Sequence, residues 1–520
     1  MTVECIPLEK TNAFSGLFLD YLSGKPELSS FYHRRPVLDS IAAQIEEKGQ
    51  HFSQAQRNTL VSVLQAQYDG LEVTEAVKTN INALAGGKTF TVTTGHQLNV
   101  LTGPLYFIFK IATVVDAARI LAEKHPGYTF VPVYWMASED HDLAEINHAN
   151  LFGRTHTWET EQTGPVGRMS TEGLDKMMAG IQEKLPVFEK AYTKFDTLAE
   201  AVRCYVNELF GEHGVVVVDA DQHELKQALI PAIKDDVLNH HANDLAEEAS
   251  KKLGELGYKT QIFPRKINFF YLQPGQRNRI VREGDAWQVL NTETKFTEEE
   301  LLAEIEAKPE NFSPNVVLRP LYQELILPNL AYVGGPAEAA YWLQLKGVFD
   351  HFQVPLPLIM PRNFGLILNK RTSERIESLG LTTTDFFRDE QELVKEYVAS
   401  HTQAELSLLD ERNRIQEVFT QIKDKATQVD PTLEGRIGAH LSEVLKNVDK
   451  LEKRLEKAER EKHDKSVKHI QSVKARMFPN GSLQERHDNF LNFILPNPEL
   501  ITQLVEGFDA FNYQMYVFKE

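Results

Sequence analysis

Thr89-Phe90-Thr91-Val92-Thr93-Thr94-Gly95-His96-Gln97, followed by Phe130-Val131-Pro132-Val133-Tyr134-Trp135-Met136-Ala137-Ser138-Glu139-Asp140-His141-Asp142, decides the fold class. Each stretch is rich in Val, Thr and aromatic residues, has the length of a buried β-strand, and ends in a polar cluster. The apolar run from Leu101 to Lys124 between them is long enough for a crossover helix. The result is a βαβ unit with reactive side chains at the carboxyl ends of neighbouring strands. Open α/β sheets bind ligands in the crevice outside those ends.

Working outward, residues 1–85 read as mostly helical, with apolar positions at three- and four-residue spacing in Val37–Gly49, Ser53–Asp69 and Val73–Leu84. His148–Phe152 adds a short strand. From Gly153 to Gly211 the character turns polar and then helical (Glu172–Lys184, Thr197–Phe210), as expected of an insertion. Gly214-Val215-Val216-Val217-Val218-Asp219 is an unbroken β-branched run, a parallel-strand signal. A second insertion holds Ile267–Leu272 and a hairpin turning at Glu283-Gly284-Asp285, and Thr297 caps the helix after it. The sheet resumes at Leu330–Val333, which runs into a Gly334-Gly335-Pro336-Ala337-Glu338 turn, and again at Pro357–Arg362.

The last third differs. Ile437, Leu441, Val444, Val448, Leu451, Leu455 and Ala458 step by 4 and 3 in alternation, a heptad seam. Ile415, Val418, Ile422, Ala426 and Val429 keep similar spacing, and Asp430-Pro431 divides the two as an N-cap followed by Pro at the first helical position. An antiparallel two-helix arm is expected, with a stripe that a second copy of the chain would cover. The fold class is therefore α/β: a parallel-sheet core, two inserted modules and a C-terminal antiparallel coiled-coil arm. The expected segments are 1–152, 153–211 (helical insertion), 212–242, 243–312 (α+β insertion), 313–388 (rest of the core), 389–475 (arm) and 476–520.

The chain has 520 residues, 42% of them hydrophobic, and a formal net charge of −18. That charge argues against non-specific nucleic-acid binding, though not against a small anion in a local pocket. No long uncharged apolar run suggests a membrane span, and the first residues lack a basic leader or an apolar signal segment. Two distant cysteines, Cys5 and Cys204, can form neither a disulfide framework nor a Cys-rich zinc site. The expectation is a cytoplasmic protein.

Four polar clusters carry the chemistry. Gly95-His96-Gln97, with Thr102-Gly103-Pro104 opening a helix, has the strand–glycine–helix order of a phosphate-binding turn, where His96 would meet charge on a phosphoryl group. The plainer alternative is a capping histidine. Ser138-Glu139-Asp140-His141-Asp142, behind Trp135, crowds acids at a strand end; it suits an ammonium group, ribose hydroxyls or a metal, or else is a solvated cap. Gly334-Gly335 permits close backbone approach to a ligand, with Glu338 in the first helical turn. Lys370-Arg371 are candidate phosphate contacts, or a solvated pair. No P-loop, Gly-x-Gly-x-x-Gly, nucleophile elbow or His-Glu-x-x-His is present, which removes P-loop kinases, dinucleotide dehydrogenases, α/β-hydrolases and zinc peptidases.

At Thr94–Gln97 with Leu101–Tyr106, Ser138–Asp142 with Asn147-His148, Ser313–Leu321, Tyr332–Trp342 and Pro361-Arg362, the chain resembles the cysteine ligase family of bacillithiol biosynthesis. The matches span most of the chain in order. Ser138 stands where that pattern usually has Gly, and Ala337 where a third Gly is frequent. The resemblance implies a Rossmann-type core with two connecting modules and a coiled-coil homodimer, similar to class I aminoacyl-tRNA synthetases. It further implies ATP-dependent joining of cysteine to glucosaminyl-malate, with Mg as the nucleotide's ion and no organic prosthetic group. On that reading His96, Gln97, Glu139, Asp140, His141 and Glu338 are the catalytic candidates. Gly95, Gly103, Trp135, Asp142, Gly334, Gly335, Lys370 and Arg371 are the binding ones, and no protein metal site is assigned. The rivals are a non-catalytic nucleotide-binding scaffold and a metal-dependent hydrolase built on the Glu-Asp-His-Asp cluster.

Overall fold

The computed structural model describes residues 1–402 and 406–520; residues 403–405, inside the expected arm, lie outside the described residues. The chain forms two compact units, one of residues 1–9, 13–367 and 483–519, the other of 10–12, 368–482 and 520. The second unit thus begins at Leu368, where an arm starting at 389 was expected, because the helices following Leu368 pack with those of the arm.

In the first unit, five strands make the core sheet: β1 Thr89–His96, β2 Thr129–Met136, β3 Val216–Asp219, β4 Asn329–Gly334 and β5 Leu358–Pro361. They are all parallel and lie in the order β5-β4-β1-β2-β3. This is the doubly wound order, with its switch point between β1 and β4. Every residue of β1 and β3 is buried, which is why both read as continuous β-branched runs. The Thr hydroxyls of β1 are internally satisfied: Thr91 and Thr93 donate to Asn329 Oδ1 (3.1 and 2.8 Å), and Thr94 to the Val333 carbonyl (2.7 Å). Pro132 fits in β2 because pairing to β3 begins only at Val133, so its missing N–H costs no ladder bond on that side.

The helices of this unit that bear on the site are α1 Ile41–His51, α2 Gln54–Gln67, α3 Glu75–Ala83, α4 Tyr106–Lys124, α5 Leu198–Phe210, α6 Ile230–Leu238, α7 His241–Glu255, α8 Arg319–Ile326, α9 Pro336–Trp342 and α10 Lys346–His351. α4 is the crossover between β1 and β2. With α1 it packs Val114, Ala117, Leu121, Ile41 and Ile45 against Phe90, Val92, Leu330 and Met360. The first insertion departs from expectation. The helix expected over Glu172–Lys184 spans only Leu174–Ala179, bounded by Gly173 (φ 88°) and Gly180, and a further helix starts at Pro186. His148–Leu151 pairs with Arg154–Thr157 as a separate hairpin. The second insertion is a five-stranded antiparallel sheet including the hairpin at Gly284, anchored by Trp287, whose indole donates to the Val237 carbonyl at 3.0 Å.

An unpredicted three-stranded sheet joins Thr2–Pro7, Gln514–Lys519 and Phe364–Leu368, the first two strands pairing antiparallel. The tail that supplies its C-terminal strand is also tied down by buried polar bonds. Arg362 pairs with Glu485 at 2.5 and 3.0 Å, both side chains almost fully buried, and Asp116 Oδ2 accepts the Ala510 N–H at 2.8 Å.

The second unit holds α11 Lys370–Ser378, α12 Glu390–His401, α13 Leu409–Val429, α14 Leu433–Lys462 and α15 Asp464–Met477. α13 and α14 form the expected antiparallel pair, with Lys423–Glu434 (2.6 Å) near the turn and an Arg412–Asp449 ion pair farther along. α14 starts two residues after Pro431, because the Asp430 carboxylate caps Thr432 N–H (2.9 Å) and turns the chain first. No residue of α13 is buried, and Val418, Ile422, Val429, Leu451 and Leu455 are exposed. Among the described residues, no helix is long and apolar enough to cross a membrane.

Replacing Glu485 by Ala strands the Arg362 guanidinium in the interior and is expected to cost about 3–5 kcal/mol. The measurement is the urea midpoint of the first unit, and an unchanged midpoint would mean that the tail contributes nothing to its stability.

Candidate active site

At the switch point the carboxyl ends of β1 and β4 open a cavity of about 300 Å³, lined by Gly95, His96, Gln97, Lys110, Trp135, Arg319, Tyr332, Glu338, Arg362 and Arg486 among others. Its centre is an ion pair. Lys110, buried on α4, reaches Glu338 Oε2 at 2.5 Å and the Gly95 carbonyl at 2.7 Å. Glu338 also accepts from Tyr332 OH (2.5 Å) and from Gly335 N–H (2.8 Å). Burial alone would raise the Glu338 carboxyl, but Lys110 and these donors outweigh it and hold the group at about 2. Burial lowers the Lys110 ammonium, with Glu338 opposing. Two walls leave little room beyond glycine. A Cβ on Gly95 would stand 3.2 Å from Tyr332 OH, and one on Gly334 would stand 2.9 Å from Glu338 Cβ.

His96 faces the same cavity. Its ring stacks on Tyr106 at 5.2 Å, and both ring nitrogens are buried without a hydrogen-bond partner. Burial first, then the Lys110 charge, push its pKa down to about 3. The imidazole is therefore neutral at pH 7, and the positive charge expected of it comes instead from Lys110, Arg319, Arg362 and Arg486. None of these four was given a site role from sequence, although Arg319 and Arg362 lie in segments that carry the family resemblance. Lys110 left a signal of its own, a single charge inside the run Phe107-Ile108-Phe109-Lys110-Ile111-Ala112.

A second cavity of about 340 Å³ shares Trp135, Ala137 and Arg319 with the first and holds Ser138, Glu139, Asp140, Phe270 and Arg277. Glu139 pairs with the fully buried Lys226, and burial raises its carboxyl against the pull of that lysine. Asp140 is the opposite case. Burial would raise it, but hydrogen bonds from His141 N–H (2.7 Å) and Gln97 Nε2 (2.9 Å), with the Arg277 charge, hold it well below the carboxylate range. Ser138 is accommodated by donating to the buried Asp219 (2.5 Å), and by facing Gly167, where a Cβ would come within 2.5 Å of its own. Ala337 is exposed on the rim, so its methyl displaces nothing.

His96, Gln97, Gly95, Gly335 and Glu338 thus meet in one cavity, Glu139 and Asp140 in the adjoining one, and Trp135 in both; Gly334 shapes the wall beside Glu338. The other candidates lie elsewhere. Gly103 (φ 62°) makes a tight turn against Asn99; its carbonyl accepts from Asn489 and the Leu105 N–H is spent on the Asp488 carbonyl (2.7 Å), so this helix start offers less than expected to a phosphate. His141 is exposed, its Nδ1 3.0 Å from Arg277, and Asp142 is exposed at the start of a short helix. Lys370 and Arg371 are exposed residues of the second unit. Asn369 caps α11 (Thr372 N–H, 3.0 Å), so the expected loop is a helix start, and the strand before it belongs to the separate three-stranded sheet.

The arrangement suits a polyanion on the Lys110–Arg319–Arg362–Arg486 side and a cationic or hydroxylated group beside Glu139. The carboxylates there are already engaged, Glu139 by Lys226, Asp140 by Gln97 and Glu338 by Lys110.

Residues 1–363 match the family description "Bacillithiol biosynthesis BshC, N-terminal Rossmann-like domain", and residues 365–520 match "Bacillithiol biosynthesis BshC, C-terminal coiled-coil domain". Relatives named "Putative cysteine ligase BshC" include those of Christiangramia forsetii, 40% identical over 100% of this chain and 99% of that one, and Flavobacterium johnsoniae, 39% identical over 97% of each. That of Cytophaga hutchinsonii is 40% identical over 99% and 98%.

Because the folded His96 pKa lies below the unfolded value near 6.5, the unfolded chain binds the extra proton between the two. His96 therefore destabilises the fold progressively as pH falls from about 6.5 towards about 3. In an imidazole ¹⁵N titration, His96 is expected to stay neutral throughout pH 5–8, and a midpoint near 6.5 would refute the burial argument.

Proposed function

The chain belongs to the BshC family of bacillithiol biosynthesis, and from that membership we propose that it is an ATP-dependent ligase joining cysteine to glucosaminyl-malate through a cysteinyl-adenylate. A cysteine carboxylate oxygen attacks the α-phosphorus of ATP, and the bond to the β-phosphate oxygen breaks to release pyrophosphate. The glucosamine nitrogen then attacks the adenylate's carbonyl carbon, AMP leaves with the electron pair, and the nitrogen gives up its proton.

The observation that carries this reading is the pair of adjoining cavities, one cationic around a neutral histidine and one carboxylate-bearing. Lys110, Arg319, Arg362 and Arg486 offset the phosphate charge, while the buried His96 donates an N–H to a phosphoryl oxygen. Gln97, bonded to Asp140, links the two halves. A base needs a pKa near the working pH. Glu338 and Asp140 are held too low for that, so Glu139, raised by burial, is the group that takes the amine proton. Glu338 positions Lys110.

With cysteine, ATP and glucosaminyl-malate, we expect bacillithiol, AMP and pyrophosphate. His96→Ala is expected to lose about 10²–10³-fold in cysteine-dependent ATP–pyrophosphate exchange. Glu139→Gln should keep that exchange yet lose about 10²-fold or more in bacillithiol formation. Formation of ADP and phosphate would sink the adenylate, and full exchange in the His96 variant would sink the site.

The exposed large apolar side chains of α13 and α14 also fit a homodimer, since exposed apolar patches mark interfaces. Sedimentation is expected to find a dimer that Leu451→Lys/Leu455→Lys converts to monomer. A monomeric wild type, or a dimeric variant, would refute it.

A further inference from the structure

Away from the two cavities, three helices bring a carboxylate and two imidazoles together. Asp235 lies on α6, His241 opens α7, and His351 ends α10. His240, in a left-handed conformation (φ 64°), reverses the chain between α6 and α7, so that His241 returns alongside Asp235. His241 Nδ1 stands 2.8 Å from Asp235 Oδ1, and His351 Nε2 stands 3.4 Å from Asp235 Oδ2. The two rings are 4.5 Å apart, and one nitrogen from each lies with a carboxylate oxygen inside a 4.8 Å circle.

Hydrogen bonding accounts for only part of this cluster. Asp235 Oδ1 accepts from His241 and from Asn239 Nδ2 (3.2 Å). Asp235 Oδ2 is buried and has no hydrogen-bond partner among the described residues. A buried carboxylate oxygen left without a donor is costly, and this one is aimed at an imidazole nitrogen just beyond bonding range. A cation between them satisfies all three groups together.

We propose that Asp235, His241 and His351 form a binding site for one divalent transition-metal ion of the zinc class, cross-linking α6, α7 and α10. Zinc takes imidazole nitrogen and carboxylate oxygen at about 2.0–2.2 Å in a tetrahedron, which sets ligand atoms about 3.4 Å apart. The present separations close to that by small side-chain rotations. Both imidazoles are exposed, so the fourth position faces solvent and is completed by water or an external ligand. Magnesium and calcium are disfavoured, because they require a shell of oxygen ligands that two imidazoles do not supply. α10 follows the helix that begins at the Gly334-Gly335 turn, so the ion fastens the chain just downstream of the cavity wall.

The test uses the full-length, untagged chain after removal of divalent ions by a chelator. Calorimetric titration with Zn²⁺ is expected to show about one equivalent per chain. His241→Gln and His351→Gln should each weaken it at least about tenfold, since even outer partners of metal ligands cost that much. Bound Zn²⁺ should raise the melting temperature of the wild type and leave that of the double variant unmoved. Because both histidines are exposed, the apo variants are expected to melt with the apo wild type, which separates lost binding from lost folding. Binding no tighter than in the double variant, unchanged binding in both single variants, or displacement by an equal concentration of Mg²⁺ would each overturn the assignment.

Discussion

The contact between Lys110 and Glu338 beneath the Gly95 carbonyl is the constraint from which the rest of the site follows. A lysine on a helix that is otherwise packed into the core cannot stay ionised there without compensation. Three elements supply it: the end of β1 through Gly95, the first turn of α9 through Glu338, and β4 through the Tyr332 hydroxyl that holds Glu338. Those are the two strands that flank the reversal in strand order. The interaction that neutralises a buried charge therefore also aligns the sheet's crevice, and it explains why neither Gly95 nor Gly334 has room for a side chain.

The same constraint sets the character of the histidine. Placed beside an ammonium and away from water, His96 remains an uncharged imidazole that can donate at one nitrogen and accept at the other. Positive charge is assigned to its neighbours Lys110, Arg319, Arg362 and Arg486. Next door the balance is reversed, with acids that differ from one another: Asp140 is held ionised by several donors, whereas burial raises Glu139 against the charges of Lys226 and Arg277. A net charge of −18 spread over the chain says nothing of this local division.

Much of the architecture could be read from residue patterns. The fully buried strands Thr89–His96 and Val216–Asp219, the hairpin at Gly284 and the heptad seam of α14 are local signals, and each lies where its periodicity placed it. The convergence of the Gly95, Glu139 and Glu338 turns was inferable because consecutive parallel strands end on the same side. The misses share a physical cause. The strand Thr2–Pro7 has its partner at the other end of the chain and carries little apolar pattern of its own. Arg362, Arg319 and Arg486 acquire their meaning from elements remote in sequence, as do Asp235, His241 and His351. Gly103 and Asn369 look like ligand turns locally, but Asn489 and Asp488 in one case, and Thr372 in the other, take the groups that a ligand would need.

The pairing of Thr2–Pro7 with Gln514–Lys519 bears on biogenesis. During synthesis the first strand emerges from the ribosome long before its partner has been translated. Its unpaired edge must wait while the sheet, both insertions and the whole helical unit are made, a span over which domains ordinarily fold one after another. The first unit can pair Thr2–Pro7 with Gln514–Lys519, and seat Glu485 against Arg362, only after those later residues have been made. Closure of this unit is thereby a late event, set by when Gln514–Lys519 is translated and not by the folding of its parallel core.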